Sequence, residues 1–189
     1  MTIILGSASK GRKRILEERG FTFDAMSADI DEKAIRDPDP EKLVLLLAHA
    51  KADALIPRIK EPAFLITSDQ VVLCNGEILE KPENEDEERA MLQMYTTHPA
   101  ETVAAVVVTN TETGERAGGV DRGKVWFHTF PHEAIKQIVV YPRTYELAGG
   151  FSIIDPLFMP YIDHIEGERE SIIGLPWALT QRLLEEVRE

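Results

Sequence analysis

The segment with the clearest chemical potential is the basic stretch GSASKGRKR at residues 6–14. A β-branched apolar run precedes it and a charged helical pattern follows it, which together predict a strand, a loop and a helix. Backbone N–H groups of a glycine-rich turn and the positive end of a helix dipole both attract phosphate. The pattern therefore indicates an anion-binding loop, although a solvated helix start with surplus charge would explain the same residues.

The spacing of Gly6 and Gly11 approaches that of a P-loop, in which the second glycine is followed by Lys and then by Ser or Thr. Here Arg12 and Lys13 hold those two positions. The hydroxyl that would bind Mg²⁺ is missing, and no other segment of the chain fits the motif. The sequence therefore argues against a P-loop kinase or GTPase.

Asp69 interrupts an otherwise apolar segment, where a strand would present it to a cleft. A carboxylate at such a place needs a partner. A metal ligand or general base is one interpretation, and a capping or turn-forming aspartate is the other. Glu32, Lys51 and Lys81 lie in distinct contexts elsewhere, and each by itself is typical of a solvated surface.

The elements that must position these side chains alternate between strands and helices. We predict strands at 2–5, 21–27, 63–66, 71–74, 77–79, 102–109, 125–127, 151–154 and 161–165, and helices at 12–19, 41–59, 83–95, 131–140 and 177–187. Residues 28–42 are predicted to form an exposed acidic loop. No repeat or linker divides the chain, so we expect a single α/β domain over residues 1–189.

The composition narrows the function classes. With 189 residues, 43% of them hydrophobic, the chain is typical of a globular enzyme domain. A net charge of −12 argues against long nucleic acid as a partner. One cysteine and no apolar leader or membrane segment predict a cytoplasmic protein. The apolar terminal helix could pack on its own core or on a second copy, so a homodimer is left open.

Taken in order, these fragments resemble the Maf family of nucleotide pyrophosphatases. The matching segments are LGSASKGRKRIL, DIDEK, LAHAKADAL, TSDQVV, LEKP, YELAGGF and IIGLPWAL, which span nearly the whole chain. The resemblance implies an elongated mixed β-sheet flanked by helices, with two lobes and a central cleft. It also implies metal-dependent hydrolysis of a nucleoside triphosphate to a monophosphate and pyrophosphate, in a house-cleaning role.

Carried onto this sequence, the resemblance implies a role for each matching position. Asp69 would accept a proton or bind the metal, and Glu32 would assist the metal, which is Mg²⁺ or Mn²⁺. Lys51 and Lys81 would complete the catalytic set. The substrate-binding residues would be Ser7, Ser9 and Arg12.

The sequence departs from the family pattern at three places, where Lys10, Gly11 and Glu80 replace the usual proline, arginine and glycine. Base selection would involve Gly11, Gln70 and Ile154. Gln70 resembles the subgroup acting on 7-methyl-GTP rather than the form associated with dTTP and UTP. Ile154 cannot hydrogen-bond a base edge, although the adjacent Asp155 could if the loop shifts by one residue.

The sequence leaves two other function classes open. A non-catalytic nucleotide-binding protein linked to cell-division control would bind a triphosphate without turnover. An unrelated phosphatase or kinase would release orthophosphate or phosphorylate an acceptor. Pyrophosphate release distinguishes the pyrophosphatase from both.

Overall fold

A computed structural model describes residues 1–188, and Glu189 lies outside the described residues. Seven strands form one mixed sheet in the order β2-β1-β3-β5-β6-β7, with β4 paired to the far end of β3. The strands are β1 Thr2–Leu5, β2 Phe23–Ala25, β3 Ala63–Cys74, β4 Glu77–Leu79, β5 Ala100–Asn110, β6 Arg116–Phe127 and β7 Ile162–Glu166. The helices are α1 Lys10–Glu18, α2 Pro40–Leu55, α3 Glu85–Met94, α4 His132–Val139, α5 Arg169–Ile173 and α6 Trp177–Glu186.

The central strand β3 has one fully paired edge and one interrupted edge. β5 pairs antiparallel with it from Phe64 to Leu73. On the other edge, β1 pairs only as far as Ile66, and β4 begins only at Val72. The segment between them therefore lacks a neighbouring strand on one side, and we call this opening, at residues 67–71, the β3 gap.

The apolar core divides along the length of the long strands. One cluster surrounds the carboxyl-terminal end of β3 and includes Val72, Tyr95 and Phe151. Two others cover opposite faces of the amino-terminal end, one around Ile66 and one around Leu65. The predicted mixed sheet flanked by helices is confirmed, with two lobes that share the sheet and a cleft between them.

Most predicted helices and strands are confirmed, with bounds that move by a few residues. Three predictions differ from the structure in more than their bounds: the break at TSDQ, the strand at 125–127 and the strand at 151–154. The polar TSDQ segment does not break the strand, because cross-strand bonds to β5 run through it and make β3 continuous. The predicted strand 125–127 is the end of the twelve-residue β6.

The predicted strand at 151–154 does not form, because residues 151–152 are irregular and residues 153–154 lie in a turn. Gly149 and Gly150, directly before this segment, both have positive φ values, 67° and 69°. This left-handed backbone turns the chain away from an extended path. Within residues 1–188, no helix has both the length and the apolar character required to cross a bilayer.

Candidate active site

The β3 gap presents Ser68, Asp69 and Gln70. Because side chains alternate along a strand, Asp69 projects from one face of the sheet and the other two from the opposite face. The Thr67 hydroxyl, on the same face as Asp69, donates to the Ala48 carbonyl of α2 at 2.8 Å. On the opposite face, Gln70 contacts α5. The gap thus carries different polar groups on its two faces.

Lys51 of α2 joins two carboxylates. Its ammonium Nζ lies 2.5 Å from Oδ1 of Asp69 and 2.8 Å from Oε1 of Glu32. The Lys51 and Asp69 side chains are each only 11% exposed, whereas that of Glu32 is 51% exposed. One cation therefore holds a buried and a solvent-facing carboxylate close together, at the point where β3 is unpaired.

Glu32 stays ionised because of its surroundings. Partial burial raises its pKa, but the hydrogen bond and charge of Lys51, with the charges of Lys81 and Arg12, lower it by more. Its pKa is therefore below the ordinary value. Lys81 itself is exposed, in the segment after β4. The charge of Lys81 lowers the Glu32 pKa, and this effect relates Lys81 to the other predicted catalytic residues.

The loop after β1 lies directly against β3. The Gly6 N–H donates to the Ile66 carbonyl at 2.7 Å. A Cβ atom at Gly6 would approach the Thr67 methyl carbon to 2.6 Å, so a larger residue would push the loop away from the strand. Ser7 is 8% exposed, and its hydroxyl oxygen accepts from the Ser9 N–H at 3.2 Å. Glycine at position 6 thus places the loop beside Asp69.

Arg12 connects the loop, the β3 gap and the end of α5. Its guanidinium donates to the carbonyls of Ser68 and Gly174, at 2.7 and 2.9 Å, and to the Ser7 hydroxyl at 3.3 Å. Burial lowers its pKa, although Asp69 and Glu32 raise it. An arginine has five N–H donors. Two of them, on Nη2, remain for a ligand beyond these three contacts.

Ser9 caps α1, since its hydroxyl accepts from the Arg12 N–H at 3.4 Å. Arg12, in the first turn of this nine-residue helix, contacts the Ser68 carbonyl of β3 at 2.7 Å, so the amino-terminal end of the helix faces the gap. Its unpaired N–H groups and its dipole favour a negatively charged ligand there.

Replacing Arg12 by Lys is expected to lower the melting temperature by about 4–8 °C, since an ammonium group cannot reach three acceptors in fork geometry and about 2 kcal/mol of hydrogen bonding is lost. Thermal unfolding followed by circular dichroism measures this. The control is Arg14→Lys, because Arg14 lies on the same helix and pairs only with the exposed Glu18. An equal melting temperature for the two variants would contradict the connecting role of Arg12.

A cleft opens beside the loop, on the Gln70 face of β3. The three residues predicted to select the base, Gly11, Gln70 and Ile154, all line it, as does Ser9. The Gln70 amide nitrogen donates to the carbonyls of Ser171 and Ile172, at 3.1 and 3.0 Å. Both donors are therefore used within the protein, and the amide oxygen is the polar atom that Gln70 offers to a ligand.

The cleft also contains a residue that sequence reasoning missed. Arg143 lines the wall, and its Nη1 lies 3.3 Å from Oδ2 of Asp155. Asp155 is 2% exposed and also accepts from the Leu157 N–H. The loop shift that would bring Asp155 to the base is not seen here, because its carboxylate is turned into the protein and holds Arg143. No sequence pattern linked the two residues.

The acidic loop, predicted to be exposed, contains a short 3₁₀ helix at Glu32–Ala34. Its cations face the segment that carries Lys81: Arg36 lies 3.5 Å from Glu80, and Lys33 lies 3.7 Å from Glu83. These exposed pairs contribute little stability, about 0–1 kcal/mol each. Their arrangement nevertheless brings the segments of Glu32 and Lys81 together at the gap.

Two carboxylates are the acidic groups available for a metal here. Among residues 1–188, no three His, Cys, Asp or Glu side chains converge in a ligand cluster. Mg²⁺ commonly uses one or two protein carboxylates and takes its other oxygens from water and substrate phosphates. Lys51 contacts Oδ1 of Asp69 and Oε1 of Glu32, which leaves one oxygen of each for a cation. The donor set fits a phosphate-bound divalent metal.

Comparison with known proteins identifies the family. The model described as "Maf-like protein" matches residues 2–187. The chain belongs to the Maf family. This confirms the resemblance found in the sequence. A Maf relative from Dictyostelium discoideum, named 7-methyl-GTP pyrophosphatase, is 43% identical over 99% of this chain and 98% of its own length.

Two bacterial relatives of this Maf protein carry other substrate names. A dTTP/UTP pyrophosphatase of Vibrio vulnificus strain YJ016 is 31% identical and covers 97% of each chain. A nucleoside triphosphate pyrophosphatase of Synechococcus sp. strain JA-3-3Ab is 31% identical over 98% of this chain and 93% of its own. All three names state a pyrophosphatase; the first two name different substrates, and the third names nucleoside triphosphates in general.

Proposed function

We propose that this Maf protein hydrolyses a nucleoside triphosphate to the monophosphate and pyrophosphate. The observation that carries the proposal is the Lys51 bridge between Asp69 and Glu32 in the β3 gap, beside the anion-binding loop. The relatives named pyrophosphatases support the same reaction. The enzyme is then a hydrolase acting on acid anhydrides, in a house-cleaning role for nucleotides. The cytoplasmic location and the homodimer stay predictions.

The proposed substrate lies across the gap. The nucleoside occupies the cleft on the Gln70 face, and the phosphates pass between the start of α1 and the Lys51 face. Ser7 and the free Nη2 of Arg12 donate to phosphate oxygens, while Lys51 and Lys81 offset their charge. These cations stabilise the negative charge that develops on the departing pyrophosphate.

Asp69 is placed to act on the attacking water. Its carboxylate is nearly buried, and Lys51 fixes its Oδ1 atom, so the other oxygen can accept a proton from a water molecule directed at the α-phosphorus. The reaction then needs no covalent intermediate. In the alternative role that the resemblance leaves open, this oxygen of Asp69 would instead join Glu32 in holding Mg²⁺ or Mn²⁺. Such an ion, when bound, polarises phosphoryl oxygens and lowers the pKa of water.

For the base, 7-methyl-GTP is the first candidate, on the ground of Gln70 and the Dictyostelium relative. The Gln70 amide oxygen is an acceptor, and a guanine offers N–H donors on its base-pairing edge. Ile154 contributes only apolar contact to the same cleft. dTTP and UTP are the alternatives that the Vibrio relative suggests.

A substrate panel tests this proposal. The pure protein is incubated with 7-methyl-GTP, GTP, dTTP or UTP and with Mg²⁺ or Mn²⁺, and pyrophosphate and orthophosphate are measured separately. We expect pyrophosphate, a preference for 7-methyl-GTP over GTP, and loss of turnover after addition of EDTA. Nucleotide binding without turnover would favour the non-catalytic alternative. Orthophosphate alone would indicate an unrelated phosphatase.

A further inference from the structure

Glu88 of α3 is a buried acid that the proposed reaction does not use. It is 0% exposed, and within residues 1–188 neither of its carboxyl oxygens has a hydrogen-bond partner. Burial raises its pKa to about 8. The side chain is therefore mostly protonated at neutral pH and begins to ionise in mildly alkaline solution.

The Glu88 carboxyl group packs against the backbone that leads into the nucleoside cleft. A Cβ atom at Gly150 would lie 1.9 Å from Oε2 of Glu88, so only glycine fits there. The preceding residue, Gly149, is held from two sides. Its N–H donates to the Glu80 carbonyl at 2.9 Å, and its carbonyl accepts from the Tyr95 hydroxyl at 2.7 Å.

The cleft wall begins at the next residue. The side chains at 151–154 line the cleft with Ile154 among them. Phe151 also packs edge-on against Tyr95, with ring centroids 5.5 Å apart. A displacement of Gly150 by Glu88 would therefore be passed directly to the surface that receives the nucleoside.

The groups around Glu88 offer its charged form no compensation. Tyr95 and Tyr145 are the titratable groups that its charge affects, and Cys74 lies near Tyr95. On its own helix, Glu85 also faces Tyr145. All of these are neutral or negative, and burial is the one cause that acts on the Glu88 pKa. An ionised carboxylate at this place must gain water or move, since an unpaired buried charge is costly.

We propose that Glu88 is a positioning residue, whose uncharged carboxyl group supports Gly149 and Gly150 and thereby keeps the cleft wall at 151–154 in its nucleotide-binding conformation. Ionisation of Glu88 releases this wall and weakens substrate binding without altering the hydrolytic residues. The inference rests on the proposed function for its effect on the substrate. Its effect on the wall is independent of that function.

Hydrogen exchange tests the wall directly. Protection factors of residues 147–154, corrected for the intrinsic exchange rate, are measured at pH about 7 and about 9.5, on either side of the Glu88 pKa. We expect a fall of about tenfold or more at the higher pH in the wild type and no fall in Glu88→Gln. The control Glu85→Gln, exposed on the same helix, should behave as the wild type does. A similar fall in Glu88→Gln would overturn the proposal.

Kinetics provide the second measurement. With the best substrate of the panel, the KM of the wild type should rise at least about tenfold between these pH values relative to that of Glu88→Gln. The kcat values of the two proteins should follow the same pH profile. Glu88→Met serves as a second variant in case the amide perturbs packing, and its KM should be as insensitive as that of Glu88→Gln. If no triphosphate is hydrolysed, the proposed function fails while the exchange experiment still decides the role of Glu88.

Discussion

Replacing Asp69 by Asn is expected to reduce kcat by at least about 10²-fold, the amount typical for loss of a general base. Asparagine has nearly the same shape but cannot take a proton from water, and it is a poor ligand for a divalent metal. The fold should persist, because Lys51 keeps Glu32 as its partner at 2.8 Å. The expected result is therefore an inactive protein with a normal melting temperature.

Initial rates of pyrophosphate release and thermal unfolding are measured on the same preparation. Asp24→Asn is the matched control, since Asp24 is exposed on β2 and distant in sequence from the gap. It should retain the wild-type rate. Undiminished turnover in Asp69→Asn would reject the role assigned to Asp69.

Replacing Lys51 by Met should affect both activity and stability. The variant leaves the Asp69 carboxylate, with an 11% exposed side chain, without its cation. Removal of one partner from a buried pair costs about 3–5 kcal/mol. Because the Lys51–Asp69 pair opens toward the half-exposed Glu32, we expect a cost at the lower limit of this range, about 3 kcal/mol. For a chain of this size that loss lowers the Tm by about 6–12 °C. Activity should also fall by at least about 10²-fold, since a cation that faces the phosphates is lost.

The double variant Lys51→Met with Asp69→Asn separates the two effects. If the loss of stability arises from the unpaired Asp69 carboxylate, the double variant should be more stable than Lys51→Met alone and just as inactive. Lys42→Met, exposed on the same helix, is the control for loss of a surface lysine. A double variant as unstable as Lys51→Met would show that packing of the lysine stem, and not charge, stabilises this region.

The sequence predicted most of the element order, because the strands and helices carry strong periodic patterns. It did not predict that β3 is continuous. The polar residues Thr67 to Gln70 interrupt the apolar pattern, and only the pairing with β5, which is distant in the chain, holds them in a strand. Local sequence does not indicate pairing with a strand that lies thirty or more residues further along the chain.

The candidate site was found through the order of the motifs and not through their spacing. Nothing between Lys51 and Asp69 indicates that the two side chains meet, since their contact depends on how α2 packs across β3. The Arg143 and Asp155 pair was missed for the same reason. Its members lie in irregular segments, where neither a period of two nor one of 3.6 applies.

Glu88, by contrast, had a detectable signal. It lies in the acidic helix predicted at 83–95, where composition suggests a solvated surface. The helical period nevertheless places it on one face with Met91, Leu92 and Tyr95, at the i+3, i+4 and i+7 positions. All three of these residues are buried. The position of Glu88 in the helical period, and not the acidic composition of the helix, identifies it as the carboxyl group that enters the core.

The two faces of the β3 gap have a consequence for how this protein can change over evolutionary time. Residues that would select a base lie on one side of β3, and residues that would break the anhydride bond lie on the other. A mutation at Gln70 or Ile154 can therefore reshape the nucleoside cleft without moving Asp69 or Lys51. This separation of base-selecting from hydrolytic residues permits relatives that catalyse the same reaction on different bases.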